Sequence, residues 1–566
     1  MEYERFDLDL SARLALNYLT NMVDRDEDYL PYWLVHITSY PAWAKHCRVD
    51  DAELVASWHS AIACVREILD TGEGEEVQAG FKRHLYRHWG HEGLRYHASY
   101  PWTATIHHAF HEDAYILAGL NHIIEHEDDA EAHDLAARQV RGLRGLVYER
   151  TMRTFWSGDF AIPERVYEFP NDVYLKDDGF DFSRVTGRGE ESIRNGMMLH
   201  ALVTHWRLTG DEVSLDLATG IANHLLGMSR YFNHKGEFFG HVHSAVWVAS
   251  GLVLLGRLTG ADRYLRFGKK IYDYVKSLSS SFGWVPEYAQ WHPMSEEHCE
   301  TCCIKDMIEC SFELVDAGYE EPYDLVNRFI RNQLYEQQIK DGSFVGVDNR
   351  REPEESGKTY RDLDKRVVGG WSGGGEPNSI SLTRFRSVAG CCVGTAPQAL
   401  YRVWKRIVER RDDAVYVNLP IDRRADEAVV ETGYPNGGWL RVCAGVDGDF
   451  RVRVLPFMGS HVSLTVNDAD RPLLWQGQCL KVDGVRKGDV IAVNHPLHEE
   501  TREETVREIN CAVTWKGCDV VDLAPAGNPL RLYQRRAGVP KEIPPPPGPA
   551  AGGEGTIEAA PTEQKR

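Results

Sequence analysis

Two segments of the chain repeat one helical hairpin, and that repeat limits the fold more than any other feature. WRLTGDEVSLDLATGIANHLL carries Leu208-Thr209-Gly210-Asp211 between two runs of helical period. GRLTGADRYLRFGKKIYDYV carries Leu258-Thr259-Gly260-Ala261 in the same place, an offset of 50 residues. Glycine suits the left-handed position that ends the first helix, and acidic residues suit the positive start of the second. Weaker copies turn near Gly72, Asp128 and Gly318. Self-similarity at a fixed period of this size marks a repeat architecture. Five or six such hairpins close into an (α/α) ring, or stack as an open solenoid. In a ring, function sits where the loops converge at one end of the cavity. Here those loops, Ser99 to Asp113 and Gly240 to Trp247, are rich in His, Trp and Tyr.

The helical period runs from Phe6 to about Arg411. It is broken by a Gly-rich, charged stretch at Asp341–Gly390 that reads as a long loop with short strands. Helix resumes over Ala396–Arg411, with Thr395 and Gln398 at capping-box spacing and Pro397 in the first turn. From about Ala414 the period changes to two. Short alternating runs from AVYVNLPI to DVIAVNH predict a β-sandwich of about 120 residues. After Arg536, Pro and Gly dominate and apolar residues are few, which predicts a disordered tail. The expected organisation is mainly α: a helical ring over 1–411 carrying the site, a sandwich over 412–536, and a tail over 537–566.

Charge removes two classes of partner. The net charge of −21 repels phosphate backbones and anionic lipid, so neither nucleic acid nor a membrane surface is expected. The 15 Trp and 25 Tyr suit a ring-faced ligand such as a sugar. The N-terminus lacks a basic region followed by an apolar run, and no window approaches 18 uninterrupted apolar residues. The expectation is a cytoplasmic protein, with a homodimer as its assembly. Its cysteines should then be reduced, and clustered thiols in a reducing compartment favour metal binding or catalysis over disulfides.

Half of the 12 cysteines fall in two short segments. SEEHCETCCIKDMIEC holds Cys299, Cys302, Cys303 and Cys310, and SVAGCCVG holds Cys391 and Cys392. Zinc takes thiolate, imidazole and carboxylate in a tetrahedron. Glu300, Cys302, Cys391 and Cys392 offer such a set, provided Glu300 and Cys302 lie at a loop-to-helix junction, because residues two apart do not share a helix face. Cys299 with Cys302 offers a C-x-x-C on one face instead. Spacing does not choose between these sets. Nor does it choose between buried apolar cysteines, a closed structural zinc and a catalytic site. A helix N-terminus just after Cys391 and Cys392 would lower a thiol pKa, as a cysteine nucleophile requires.

Cys299-Glu300-Thr301-Cys302 and Cys391-Cys392, in this order, resemble the paired motifs of glycoside hydrolase family 127, the β-L-arabinofuranosidase-like proteins. Gly240-His241 ahead of a helix, the Leu-Thr-Gly hairpins and a GYPNGGWLRV strand pair add to the resemblance, which spans about residues 6–535. It implies an (α/α)6 barrel and a retaining glycosidase that acts on a β-L-arabinofuranoside-like or related carbohydrate. It also implies Zn2+ held by Glu300, Cys302, Cys391 and Cys392, with Cys391 as nucleophile. The family's acid/base glutamate matches Glu287 in GWVPEYA, and His241, His243, His108 and His111 are expected sugar contacts. Two departures bear on the sugar more than on the chemistry. Val393-Gly394-Thr395 stands where the family has Pro-Pro-Asn, and Ala114 stands where it has a histidine. Competing functions are a zinc-free sugar epimerase or lyase on the same barrel, and a carbohydrate-binding protein with structural zinc.

Overall fold

The computed structural model describes residues 2–47, 50–98, 105–154, 162–169, 173–175, 191–290, 298–380, 387–412, 414–527 and 530–548. Helices dominate up to residue 407 and strands after it. The helices are α1 (Leu8–Asn21), α2 (Val55–Leu69), α3 (Glu75–Leu85), α4 (Phe110–Glu127), α5 (Ala130–Leu146), α6 (Met198–Thr209), α7 (Glu212–Gly227), α8 (Val242–Thr259), α9 (Asp262–Leu278), α10 (Thr301–Asp316), α11 (Pro322–Phe329), α12 (Leu363–Arg366) and α13 (Gly390–Ile407).

Alternate helices make the inner layer. Helix α2 packs on α4, α4 on α6, α6 on α8, α8 on α10, α10 on α13, and α13 returns to α2. Each inner helix also carries an outer one: α3 on α2, α5 on α4, α7 on α6, α9 on α8, α11 on α10, and α1 on both α2 and α13. The sequence of one pair shows why. Helix α8 is apolar around its whole circumference and is buried from Val242 to Gly256. Helix α9 buries only Tyr264, Gly268, Ile271, Tyr272 and Val275, one stripe at helical spacing. Helix α8 is long and apolar enough to cross a membrane, yet 83% of that window is buried inside the protein, as befits a core helix.

The hairpin turns form as their residues dictate. Gly210 and Gly260 both end their helices at φ 71°, a conformation that costs glycine little. Asp211 then caps α7 by accepting from the Val213 N–H at 3.0 Å. In the weaker copy near Gly72 the left-handed residue is Asp70, at φ 48°.

Beyond α13 the chain forms three larger sheets. One has five strands in the order Val408–Arg411, Ala414–Val417, Gly448–Arg453, Cys479–Val485, Trp475–Gln476. The second has six: Arg423–Arg424, Ala428–Thr432, Trp439–Ala444, Val490–Asn494, Ser463–Val466, Ala469–Arg471. The third, Glu499–Val506, Ile509–Lys516 and Asp519–Ala524, is absent from the sequence-based expectation.

Two boundaries differ from expectation. Helix α13 starts at Gly390, six residues before the predicted Ala396, so Thr395 and Pro397 lie inside it and not at its cap. Residues 537–548, expected to begin a disordered tail, pack on the body. Lys541 pairs with Glu4 at 2.8 Å, Gln534 donates to the Glu542 carbonyl at 3.1 Å, and Ile543 touches the core.

Candidate functional site

Helices α10 and α13 each begin with an extended residue, Glu300 at φ −92°, ψ 132° and Ala389 at φ −115°, ψ 130°. Glu300 therefore stands at the loop-to-helix junction that a shared site with Cys302 requires. Cys391 and Cys392 occupy the first turn of α13, where backbone N–H groups lack helical partners and favour negative charge. Close packing fixes that turn. The Trp58 indole donates to the Gly390 carbonyl at 2.9 Å. A Cβ on Gly394 would meet Ser57 Oγ at 2.4 Å, so α13 approaches α2 this closely only through glycine. The Thr301 hydroxyl donates to the Ser372 carbonyl at 2.6 Å and ties the start of α10 to the 341–389 stretch.

One donor atom from each of Glu300, Cys302, Cys391 and Cys392 lies within 4.8 Å of the others. Cys302 Sγ is 3.4 Å from Cys392 Sγ, and Cys391 Sγ is 3.8 Å from Glu300 Oε1. The sulfur separation is far from the roughly 2.05 Å of a disulfide, and all four cysteines named in the two sets are free thiols. Cys299 lies apart from this group. Its sulfur accepts from the Val285 N–H at 3.3 Å and faces Gln337, so the C-x-x-C set does not assemble. Cys303 sits 3.6 Å from Glu300 Oε2, and Cys310 is core.

The three thiols differ in environment. Hydrogen bonds from Cys302 and Cys392 hold Cys391 well below the ordinary thiol range, against the effect of burial. Burial, with the neighbouring Cys391 sulfur, pushes Cys302 and Cys392 well above it. Burial raises Glu300, but His241, together with His243 and Cys302, holds its carboxyl below the usual range. His241 Nε2 is 3.4 Å from Glu300 Oε2.

Glu287 joins the same neighbourhood through a short antiparallel ribbon. Gly240–His241 pairs with Tyr288–Ala289, the Val242 N–H donates to the Glu287 carbonyl at 2.9 Å, and the Glu287 N–H donates to the His298 carbonyl at 2.8 Å. Atoms of His241, Glu287 and Glu300 all lie within 4.8 Å of one another, and Glu287 is buried.

The other histidines stand differently. His243 is buried, with Nδ1 on Asp306 and Nε2 2.7 Å from the Tyr115 hydroxyl. Both ring nitrogens are engaged within the protein, and the residue lies in the wall of a cavity between the inner helices. Burial pushes its imidazole down, but the Asp306 carboxylate raises it to about 8. His111 lies half-buried in the first turn of α4, 3.7 Å from Glu112 and outside the cluster. The backbone of His108 lies on the strand Thr105–Ala109, and its side chain is outside the described residues.

Glu53, Tyr115 and Asp306 were not anticipated from the sequence. Glu53 comes from a π-turn ahead of α2. Its burial, and the negative groups Cys391, Glu112 and Glu300 around it, push its carboxyl well above the usual range. Between the inner helices lies a cavity of about 620 Å³ whose wall includes Tyr115, His243, Trp247, Lys305, Glu309 and Arg402.

No protein-family model matches this sequence, and no curated protein matches it. Solved structures match in fold. A glycoside hydrolase family 127 β-L-arabinofuranosidase from Geobacillus stearothermophilus T6 aligns with TM-score 0.55 at 14% identity, over 90% of this chain and 80% of that one. A second family 127 β-arabinofuranosidase aligns with TM-score 0.57 at 15% identity, over 92% and 85%. A third structure, described as a glycoside hydrolase, aligns with TM-score 0.55 at 15% identity, over 89% and 84%. The chain therefore has a family 127-like fold.

Proposed function

We propose that this chain is a retaining glycoside hydrolase with a cysteine nucleophile in a zinc site, acting on a β-L-arabinofuranoside or a related glycoside. In this reading residues 1–411 are an (α/α)6 barrel that carries the site, and 412–536 are a β-sandwich. The observation that carries the reading is the convergence of a vicinal cysteine pair, Glu300 and Cys302 next to a second group, His241 and Glu287, that shares Glu300.

The donor set fits zinc. Bonds of about 2.3 Å to sulfur and 2.0–2.2 Å to oxygen place tetrahedral ligand atoms roughly 3.5–3.8 Å apart. The separations of 3.4 Å and 3.8 Å at Cys302–Cys392 and Cys391–Glu300 are of that size. When bound, zinc supplies positive charge that keeps the ligand thiols ionised.

Cys391 is the nucleophile in this reading: it lies in the first turn of α13, and of the three cysteines it alone is not fully buried, so its sulfur is the one that a substrate can reach. Its sulfur attacks the anomeric carbon as the bond to the leaving oxygen breaks. Glu287 gives its proton to that oxygen. Glu287 then takes a proton from water, the water oxygen bonds to the anomeric carbon, and the Cys391 thiolate leaves. Two displacements return the starting configuration, the retaining outcome. His241 holds the Glu300 carboxylate on the side of Glu287.

The test uses a nitrophenyl β-L-arabinofuranoside and an electrophilic arabinofuranose analogue. The analogue is expected to add once to the peptide containing SVAGCCVG. Cys391→Ser is expected to fold and to lose turnover by at least about 10³-fold, since a serine hydroxyl ionises far less readily than a thiol. A label on a carboxylate, or full activity in Cys391→Ser, would overturn the thiol mechanism. Absence of turnover and of labelling would favour a binding protein.

A further inference from the structure

The third C-terminal sheet reaches the segment that carries Glu287. Its strands Glu499–Val506 and Ile509–Lys516 form a hairpin whose tip is Arg507-Glu508. Arg507 sits at φ 55°, a left-handed conformation that residues with a Cβ rarely adopt. From there its Nη2 donates to the Tyr288 carbonyl at 2.5 Å. Tyr288 follows Glu287 directly and pairs with His241 in the short ribbon. Three residues earlier on the same hairpin, Glu504 accepts from both the Ser281 N–H at 2.7 Å and the Ser281 hydroxyl at 2.5 Å. The hairpin thus grips residues 281–288 at both ends, across sequence separations of 223 and 219 residues.

This grip adds a hold from the C-terminal sheets to the two local main-chain bonds of Glu287, the Val242 N–H on its carbonyl at 2.9 Å and its own N–H on the His298 carbonyl at 2.8 Å. The ribbon Gly240–His241 with Tyr288–Ala289 has only two residue pairs, and a two-stranded ribbon is marginal even when longer. Trp284, whose indole donates to the Gly375 carbonyl at 2.9 Å, fixes the middle of the segment but lies three residues short of Glu287. A proton donor misplaced by about 1 Å costs on the order of 10²-fold in rate.

Resting on the glycosidase reading above, we infer that the Glu499–Lys516 hairpin is a positioning clamp for the acid/base, with Arg507 as the positioning residue for Glu287 and Glu504 as its second hold. The C-terminal sheets then complete the geometry of a site whose chemistry lies on the helical part.

Two readouts test this on the full chain. The first is hydrogen exchange of the peptide covering 280–290, which needs no activity. The second is kcat on aryl glycosides graded by leaving-group acidity. Arg507→Ala is expected to speed exchange in that peptide. It should lower kcat by roughly 10–100-fold on poor leaving groups, leave a nitrophenol leaving group nearly untouched, and change KM little. Arg507→Lys keeps a donor and is expected to recover part of the loss. If Arg507→Ala fails to fold, Glu504→Gln carries the same test, since it keeps size and removes only the charge. A loss that is uniform across leaving groups, or unchanged exchange at 280–290, overturns the clamp. Glu287→Ala, run alongside, separates the two claims. If it shows the leaving-group dependence and Arg507→Ala does not, the clamp alone is wrong. If Glu287→Ala shows none, the acid/base reading is wrong and the clamp falls with it.

Discussion

Glu287 is buried, its main chain is fixed on both sides, and its carboxyl shares a neighbourhood with His241 and Glu300. A side chain so held, and proposed only to transfer protons, should be removable without loss of fold. Glu287→Ala is expected to leave the thermal midpoint and the metal content unchanged and to cut turnover of a natural glycoside by about 10²–10⁴-fold. The cut should shrink for a nitrophenol leaving group; an undiminished rate on the natural glycoside would pass the role to another group, with Glu53 next in line. At this scale the sequence was partly legible. The Glu-x-Cys and Cys-Cys patterns name four side chains whose donor atoms meet in the structure, because each pattern is local to one helix start. Glu53, Tyr115 and Asp306 carry no such signal. They come from three different elements, and only the packing of the inner helices brings them beside Cys391 and His243. The hydrogen bonds of His243 were illegible for the same reason: its partners Asp306 and Tyr115 lie 63 and 128 residues away.

Elements were misplaced where packing overrides local propensity. SVAGCC has no polar cap, and Ala389 makes no side-chain cap bond, yet α13 starts there because Gly394 lets it lie against α2 and Gly390 lets it lie against Leu54 and Trp33. The strand Glu499–Val506 was missed because seven of its eight residues are not buried, so it shows no alternation; its neighbour Ile509–Lys516, with Cys511, Val513 and Trp515 inward, did alternate. The π-turn Asp50–Leu54 that leads into α2 is held by a buried His46. His46 Nδ1 lies 2.9 Å from Asp50 and Nε2 3.2 Å from Asp24, with Tyr32 stacked on the ring. Burial opposes the charged imidazole, but the two carboxylates raise it to about 9. A pKa raised above the usual 6.5 means the stabilisation is complete below about pH 6.5 and is lost as pH climbs through 9. The gap of 2.5 between those values sets a ceiling of roughly 3 kcal/mol. Thermal midpoints recorded from pH 6 to 10 are expected to fall for the parent and to fall less for His46→Asn; parallel curves would remove His46 as the cause.

Across the whole molecule, the helical part and the C-terminal sheets meet over a buried ion network. Asp519 accepts from Arg331 at 2.8 Å and from Arg535 at 2.9 Å, and Arg535 also reaches Glu336 at 2.7 Å. Asp519→Ala leaves two buried guanidinium groups short of a counter-charge and is expected to cost about 3–5 kcal/mol, read as a lower denaturation midpoint. A shift within about 0.5 kcal/mol would mean the network relaxes onto Glu336. The candidate metal centre makes a second tie, between segments 91 residues apart, because Glu300 and Cys302 open α10 while Cys391 and Cys392 open its neighbour α13. Three sulfurs and a carboxylate packed this closely would repel one another if all were ionised, and a bound cation would relieve them. Protein purified without chelator is therefore expected to hold about one zinc per chain. Stripping that zinc should lower the thermal midpoint, since a ligand bound only by the folded state stabilises it by about 2.7 kcal/mol at one hundred times its dissociation constant. The loss should concentrate where the two helices begin, seen as faster hydrogen exchange at 298–306 and 388–396 and little change in the C-terminal sheets. A Cys302→Ala, Cys391→Ala protein should hold no zinc and should show no further drop on chelation. Zinc retained at full occupancy in that variant would assign the metal to other residues and leave the four-donor cluster without its proposed ion.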